Sequence, residues 1–160
     1  MKQIRLEEVM RLAIDEARAT MNADIGGAFG AAIIGPDGEI ISIASNTVLR
    51  NHDPTAHAEI NEIRKAGLKL KTHDLKGYVL VATAYPCPMC CSAIIWANIN
   101  EVYYGATAQD AADIGFRDGF MYTYLKHSDA YPNLLALHSF GRDSCLELFK
   151  EYHHNLKQLY

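Results

Sequence analysis

Four side chains in two short segments have the types and spacing of a metal site with an acid-base group beside it. His57 and Glu59 stand two residues apart in the first segment, and Cys87 and Cys90 form a Cys-x-x-Cys pair in the second. Two sulfurs and one imidazole suit Zn²⁺, which takes soft ligands in tetrahedral geometry. The pattern predicts one zinc ion per chain, held by His57, Cys87 and Cys90.

Three protein ligands leave the fourth zinc position for water, which is typical of a catalytic site. Zinc lowers the pKa of such a water from ~15.7 to about 7. Glu59 is close to His57 in sequence without being needed as a ligand, so it is the candidate that moves protons. The combined pattern, H-x-E followed by P-C-x-x-C, is the signature of hydrolytic zinc deaminases.

Two other interpretations of the cysteine pair remain open. A Cys-x-x-Cys motif also occurs in closed structural zinc sites, and His52, His73 or Cys91 could supply a fourth ligand here. It also occurs in redox pairs, although the sequence has no further feature of that class. Cys91 and Cys145 are otherwise interpreted as ordinary thiols.

The elements around these motifs alternate in a way that predicts an α/β layered fold with a central mixed sheet. Helical spacing opens the chain, two strands flank a Gly-Pro-Asp-Gly turn, and strands then alternate with helices. The predicted strands are 29–34, 39–44, 78–83, 102–106 and 134–138. The predicted helices are 6–17, 54–66 (with Asp53 as cap), 86–97, a stretch from 109, and 144–156.

The composition and net charge of the chain indicate which kinds of binding partner to expect. The chain has 160 residues, about half of them hydrophobic, and a formal net charge of -4. The absence of a basic block disfavours a nucleic-acid partner. The sequence shows neither a signal peptide nor an apolar run long enough to cross a bilayer, which predicts a cytoplasmic protein.

The sequence resembles the cytidine-deaminase-like superfamily and, within it, the small bacterial guanine deaminases. The zinc motifs are common to the superfamily, whereas the stretch 110–118 and the terminal tyrosine point to the guanine deaminases. The residues that carry the resemblance are Gly26-Gly27-Ala28-Phe29-Gly30-Ala31, Asn46, Asp53-Pro54-Thr55-Ala56-His57-Ala58-Glu59, Pro86-Cys87-Pro88-Met89-Cys90 and Asp110-Ala111-Ala112-Asp113-Ile114-Gly115-Phe116-Arg117-Asp118.

The length of 160 residues predicts a single domain over 1–160. The resemblance implies that this domain is a three-layer α/β/α sandwich with a five-stranded mixed sheet. It also implies a homodimer whose C-terminal segment, about 143–160, is exchanged between partners. Tyr160 would then help to close the partner's site.

The same resemblance implies roles for residues around a small-molecule purine base. Asn46 would hydrogen-bond the purine, Phe29 would stack on it, and Ala58 would contact it. Asp118 would lie near the leaving group or the purine edge and, like Glu59, take part in catalysis. Water would attack C2 of guanine, and the products would be xanthine and ammonia.

Three positions depart from the family pattern: Tyr85 replaces the usual glutamate, Ala28 the usual proline, and Gly119 a common serine. Other deaminase substrates therefore stay open, namely guanosine, cytosine or adenosine in tRNA. A different class, a non-catalytic zinc module that binds a partner protein, would require a closed metal site.

Overall fold

A computed structural model describes residues 3–160, which form two compact units divided in sequence between Met121 and Tyr122. No helix among these residues has both the length and the apolar character needed to span a bilayer. The first unit contains α1 (Gln3–Asn22), β1 (Gly30–Ile34), β2 (Ile40–Ser45), α2 (Val48–Asn51), α3 (Ala58–Leu70), β3 (Val79–Ala84), α4 (Pro88–Trp96), β4 (Glu101–Ala106) and α5 (Ala108–Asp113). Helix α6 (Gly119–Lys126) spans the boundary, and the second unit contains a 3₁₀ turn (Ser128–Ala130) and α7 (Arg142–His154).

The sheet of the first unit is mixed, with the order β2-β1-β3-β4. Strand β1 pairs antiparallel with both β2 and β3, while β3 and β4 are parallel. All five residues of β1 are buried. A strand that is covered on both faces has apolar residues at consecutive positions, and the sequence of β1 shows this pattern.

Helices cover both faces of the sheet, which confirms the three-layer fold. Alternate side chains of β1 and β3 point to opposite faces. Val9 of α1 packs with Ala32 and Ile34 on one face. Ala66 of α3 and Ile94 of α4 pack with side chains of the opposite face.

The prediction of five strands is wrong, because the described sheet has four. The segment 134–138 has no strand, and the amide of Leu134 instead donates to the carbonyl of Tyr131 in a turn. Leu134, Leu135 and Leu137 are all exposed, with 79% of Leu137 accessible. Their spacing suggests a buried strand, but no sheet face of their unit covers them.

The start of α3 also differs from the prediction. Asp53 does accept the backbone N–H of Thr55, at 2.8 Å, but this bond closes a turn and not the first turn of the helix. Helix α3 begins at Ala58, with His57 as its N-cap. The helix therefore starts at the metal motif and not four residues before it.

Two lysines of α3 cover the free edge of β2. Lys65 donates from Nζ to the carbonyl of Ile43 at 2.7 Å, and Lys69 donates to the carbonyl of Ile41 at 2.5 Å. Strand β2 lies at the end of the sheet, so within residues 3–160 no further strand pairs with its outward carbonyls. The lysines supply the donors that another strand would otherwise provide.

A buried carboxyl group, Glu62 of α3, joins the helix to the sheet. The register of β1 against β2 shifts between Ile33 and Ile34, and such a bulge disrupts the ladder locally. The N–H of Ile33 donates to Glu62 Oε1 at 3.1 Å, and the hydroxyl of Ser42 donates to the same oxygen. Within residues 3–160, Oε2 of Glu62 has no hydrogen-bond partner.

Burial raises the pKa of Glu62 from 4.5 to about 7, against the opposing effect of the hydrogen bonds from Ser42 and Ile33. The folded state therefore holds a proton that the unfolded state has already released above pH 4.5. The associated stability is complete below pH 4.5 and is lost as the pH rises through about 7. At 1.36 kcal/mol per pKa unit, the loss is about 3 kcal/mol.

We expect Glu62→Gln to remove this pH dependence, because an amide keeps an acceptor for Ile33 and Ser42 but cannot ionise. Between pH 5 and pH 9, the free energy of unfolding of the parent protein should fall by about 3 kcal/mol more than that of the variant, because the raised pKa values of Glu59 and Asp118 affect both proteins. Urea titrations across this range measure both. The exposed Glu7→Gln is the matched control and should follow the parent curve; an equal decline in Glu62→Gln would contradict the assignment.

Candidate metal centre

The three predicted ligands come from the starts of two helices. His57 is the N-cap of α3 and Cys87 is the N-cap of α4, each with extended backbone (φ −67° and −65°). In the part of the chain that the structure describes, neither side chain caps its own helix. Both side chains are therefore available to a common centre, where Cys90 joins them from the first turn of α4.

The donor atoms have the separations that zinc requires. Nδ1 of His57 lies 3.6 Å from Sγ of Cys87 and 3.6 Å from Sγ of Cys90, and all three atoms lie within 4.8 Å of one another. Zn–S distances of about 2.3 Å and Zn–N distances of about 2.0 Å place a nitrogen and a sulfur about 3.6 Å apart around a tetrahedral ion. The arrangement fits zinc without rearrangement of the ligands.

The residues that could have closed the site as fourth ligands lie outside this group. Among residues 3–160, the cluster contains His57, Cys87 and Cys90 alone. The thiol of Cys91 donates to the carbonyl of Pro86 instead, at 3.3 Å. Three protein ligands are the number found in catalytic zinc sites.

Hydrogen bonds among the three ligand residues shift their pKa values. The Cys90 thiol donates a hydrogen bond to Cys87, and this bond, assisted by His57, lowers the pKa of Cys87 to about 4. The same bond and burial raise the pKa of Cys90, so without a metal ion the pair carries one negative charge. The hydrogen bond with Cys87 raises the pKa of His57. Zinc binds thiolate and neutral imidazole, so metal binding has to displace any proton on these ligand atoms.

Glu59 lies in the first turn of α3 and is 8% exposed. Burial raises the pKa of its carboxyl group, and the negative charge of Cys87 acts in the same direction. Glu59 lines the same cavity as His57 and Cys87 but is not a member of the ligand cluster. It is thus placed beside the metal position with a carboxyl group that can hold a proton.

A cavity of about 510 Å³ opens on this centre. This volume lies within the ordinary range for small-molecule sites. Most of its lining is apolar, and its described wall residues are Gly26, Gly27, Phe29, Asn46, Val48, Leu49, Pro54, His57, Glu59, Ala84, Tyr85, Cys87, Ala111, Phe116, Arg117, Asp118 and Met121.

Asn46 is fixed in the wall by its own oxygen. Oδ1 accepts the N–H of Gly27 at 3.2 Å and the N–H of Val48 at 3.1 Å, and the residue is 5% exposed. A Cβ on Gly26 would meet the carbonyl oxygen of Asn46 at 2.2 Å, so glycine is needed for this approach. With Oδ1 engaged, the amide NH₂ group is the part of Asn46 left to contact a ligand.

Aromatic rings form two walls of the cavity. Phe29 and Phe116 meet edge to face, with centroids 5.0 Å apart. Tyr85 meets Tyr104 of β4 in the same geometry, also at 5.0 Å. Such walls suit a flat ring.

Asp118 also reaches this cavity. Burial raises the pKa of its carboxyl group, and the negative charge of Cys87 adds to the effect. The structure thus brings Asn46, Phe29, Glu59 and Asp118 to one cavity beside the three ligands. Their roles toward a substrate stay predictions.

Two other predicted residues lie elsewhere. Ala58 is fully buried at the start of α3 and is not among the cavity-lining residues. Tyr160 belongs to the second unit and is largely exposed there. Its predicted role in a partner's site stays a prediction.

Sequence reasoning singled out Phe116 and Arg117 only as parts of a motif, and it did not identify Met121 at all. Phe116 occupies the cavity wall through its contact with Phe29, which lies far from it in sequence. Arg117 and Met121 line the same cavity. No local spacing pattern distinguishes these side chains from ordinary loop and helix residues.

Several known proteins are similar to this chain in sequence or structure. Guanine deaminase of Bacillus subtilis (strain 168) is 45% identical over 116 residues, 72% of this chain and 74% of that protein. An X-ray structure of guanine deaminase from Bacillus subtilis matches with a TM-score of 0.84 and 35% identity, covering 96% of this chain and 95% of that chain. A tRNA-specific adenosine deaminase of Aquifex aeolicus (strain VF5) is 39% identical over 100 residues, 62% of this chain and 65% of that protein.

The family described as the cytidine and deoxycytidylate deaminase zinc-binding region matches residues 3–106, which include all three ligands and Glu59. Because the match spans most of the chain and the ligand geometry suits zinc, this protein belongs to that family of zinc-dependent deaminases.

Proposed function

We propose that this protein hydrolyses guanine to xanthine and ammonia. The observation that carries the proposal is a three-ligand centre with a buried carboxyl group beside it, at the base of a cavity with aromatic walls. The similarity to guanine deaminase over most of the chain supports guanine as the base.

The cavity walls suggest how the base is held. Phe29, fixed by Phe116, stacks on the purine ring, and the amide NH₂ of Asn46 donates to an acceptor on the edge of the purine. Because Oδ1 of Asn46 is already engaged by two backbone amides, its NH₂ group is held in one orientation. Because the proposed hydrolysis takes place at C2, the C2 amino group of the bound purine faces His57, Cys87 and Cys90.

Glu59 moves the protons of the reaction. Zinc, when bound, polarises a water molecule and lowers its pKa. Glu59 accepts a proton as the water oxygen bonds to C2 and passes it to the ring nitrogen. A second proton transfer through Glu59 lets the C2–N bond break, with release of ammonia and restoration of the ring as xanthine.

Asp118 stands on another part of the cavity wall and assists departure of the amino group. Burial and the negative charge of Cys87 raise the pKa of its carboxyl group above that of an exposed aspartate, which favours transfer of a proton to the leaving amine. Glu59 and Asp118 thus reach the substrate from two separate chain segments.

A second deaminase function has direct support in the similarity to tRNA-specific adenosine deaminases. The net charge of -4 opposes it, since a tRNA partner requires phosphate contacts.

We therefore expect the purified, zinc-loaded protein to release ammonia from free guanine faster than from guanosine, adenine, cytosine or cytidine. In the same assay, adenosine in a tRNA anticodon should stay intact. Inosine formation in tRNA without turnover of guanine would reverse the assignment.

We expect Glu59→Gln to lower kcat on guanine by roughly 10²–10⁴-fold, the range that general acid-base catalysis contributes. Zinc content should stay near one ion per chain, because Glu59 is not among the ligand residues. Metal analysis and single-turnover kinetics on the same preparation check both parts. Cys87→Ser is the comparison that should lose zinc and activity together. A non-catalytic zinc module would show no turnover even in the parent protein.

We also propose that the protein is a homodimer in which the C-terminal segment, about 143–160, reaches the partner. The first unit exposes large apolar side chains, with Ile95 72% and Trp96 73% accessible. The second unit does the same at Leu148 and Phe149. Extended apolar surfaces of this kind mark protein–protein contacts.

Complementation tests whether Tyr160 acts in the partner's site. We expect a chain ending at residue 159 and the Glu59→Gln chain to be weakly active alone and to regain activity when they are refolded together. The tail of the Glu59→Gln chain would then complete the site of the shortened one. Mixed dimers no more active than the separate chains would show that Tyr160 does not cross to its partner.

A cytoplasmic location and a role in purine metabolism follow from a free purine substrate, and both remain proposals. Cell fractionation and measurement of guanine and xanthine in a strain lacking the protein would examine them.

A further inference from the structure

Arg117 lies in the short irregular stretch between α5 and α6 and lines the active-site cavity. It is the only lysine or arginine among the described residues of that wall. Its neighbours Phe116 and Asp118 line the cavity too, so the whole stretch forms one side of the site. The proposed reaction gives Arg117 no role.

Within residues 3–160, the guanidinium group of Arg117 makes neither a hydrogen bond nor an ion pair. Asp118 is adjacent in sequence but does not neutralise it. The pKa of Asp118 responds, after burial, to the charges of Cys87 and His57, which places its carboxylate toward the metal centre. Arg117 is exposed and therefore stands at the solvent side of the cavity.

The orientation of the base decides which of its atoms Arg117 meets. When C2 of a purine faces the metal centre, the opposite side of the six-membered ring carries O6 and N7. These two adjacent acceptors then point to the solvent side, where Arg117 is exposed. A guanidinium group presents a planar fork of donors, and its bidentate contact with O6 and N7 of guanine is a common specific contact between arginine and this base.

We propose that Arg117 is a specificity-determining residue that binds the O6/N7 edge of the purine and makes the site prefer 6-oxo to 6-amino purines. In a purine with an amino group at C6, an N–H donor replaces the O6 acceptor. This donor faces an N–H group of Arg117, so one hydrogen bond is lost and the two donors repel each other. Asn46 holds the base from a different wall and leaves this edge to Arg117. The inference rests on the proposed hydrolysis of guanine.

The test compares guanine with 2,6-diaminopurine, which has the same 2-amino group but an amino group at C6, and with 7-deazaguanine, which lacks N7. Arg117→Met removes the fork, and Arg117→Lys keeps the charge without the planar pair of donors. Steady-state kinetics on the zinc-loaded full chain give kcat and KM for each base. Zinc content and thermal melting confirm that both variants are folded.

We expect Arg117→Met to lower kcat/KM for guanine by roughly 5- to 100-fold, mostly through KM, since the contact is remote from C2. Activity on 2,6-diaminopurine should change much less, so that the preference for guanine nearly disappears. Arg117→Lys should recover only part of the preference. The parent protein should lose affinity for 7-deazaguanine, and Arg117→Met should no longer distinguish it from guanine.

Three results separate the possibilities. A parent protein inactive on guanine defeats the proposed function itself. A parent active on guanine whose Arg117→Met variant keeps the same ratio of guanine to 2,6-diaminopurine defeats the role of Arg117 alone. In the third result, Arg117→Met loses activity on guanosine monophosphate but keeps the parent's preference among free bases. That result would show that Arg117 binds a phosphate group, and it would overturn the inference.

Discussion

The N-termini of α3 and α4 lie close together, and the metal centre depends on this proximity. His57 and Cys87 are the N-caps of α3 and α4, and Cys90 follows within one turn. A helix N-terminus carries partial positive charge, which the thiolates offset. Because the ligands are tied to the first turns of two packed helices, their spacing is set by the core beneath them. Glu59 inherits its position from the same turn of α3.

The ligands and Glu59 were predictable because their geometry is local. A Cys-x-x-Cys pair at a helix start points both sulfurs to one side. The H-x-E motif places a carboxylate two residues after the histidine ligand. The start of α3 was not predictable in the same way. Asp53 followed by proline has the features of a helix cap, but the bond from the N–H of Thr55 to Asp53 closes a turn in the loop that leads to His57. Local sequence does not distinguish these two uses of one side chain.

Features that depend on tertiary contacts were missed. The leucines at 134–137 have strand-like composition, but whether they pair depends on an available partner strand, which composition does not encode. Arg117 has no distinctive spacing in the sequence, and only the folded chain shows that it lines the cavity. In the sequence, Glu62 has the features of a solvent-exposed helix carboxylate. Only the structure shows that it accepts the N–H of Ile33, at the point where the register between β1 and β2 shifts.

The lysines on the edge of β2 make the two ends of the sheet chemically unequal. At β2, Lys65 and Lys69 already occupy backbone carbonyls, and an incoming strand would have to displace two cations before it could pair. At β4, on the other end, most of the strand is exposed and carries Tyr103 and Tyr104. Addition of a further strand is therefore costly at β2, where these two hydrogen bonds must first break, and among the described residues no such lysine bonds protect β4.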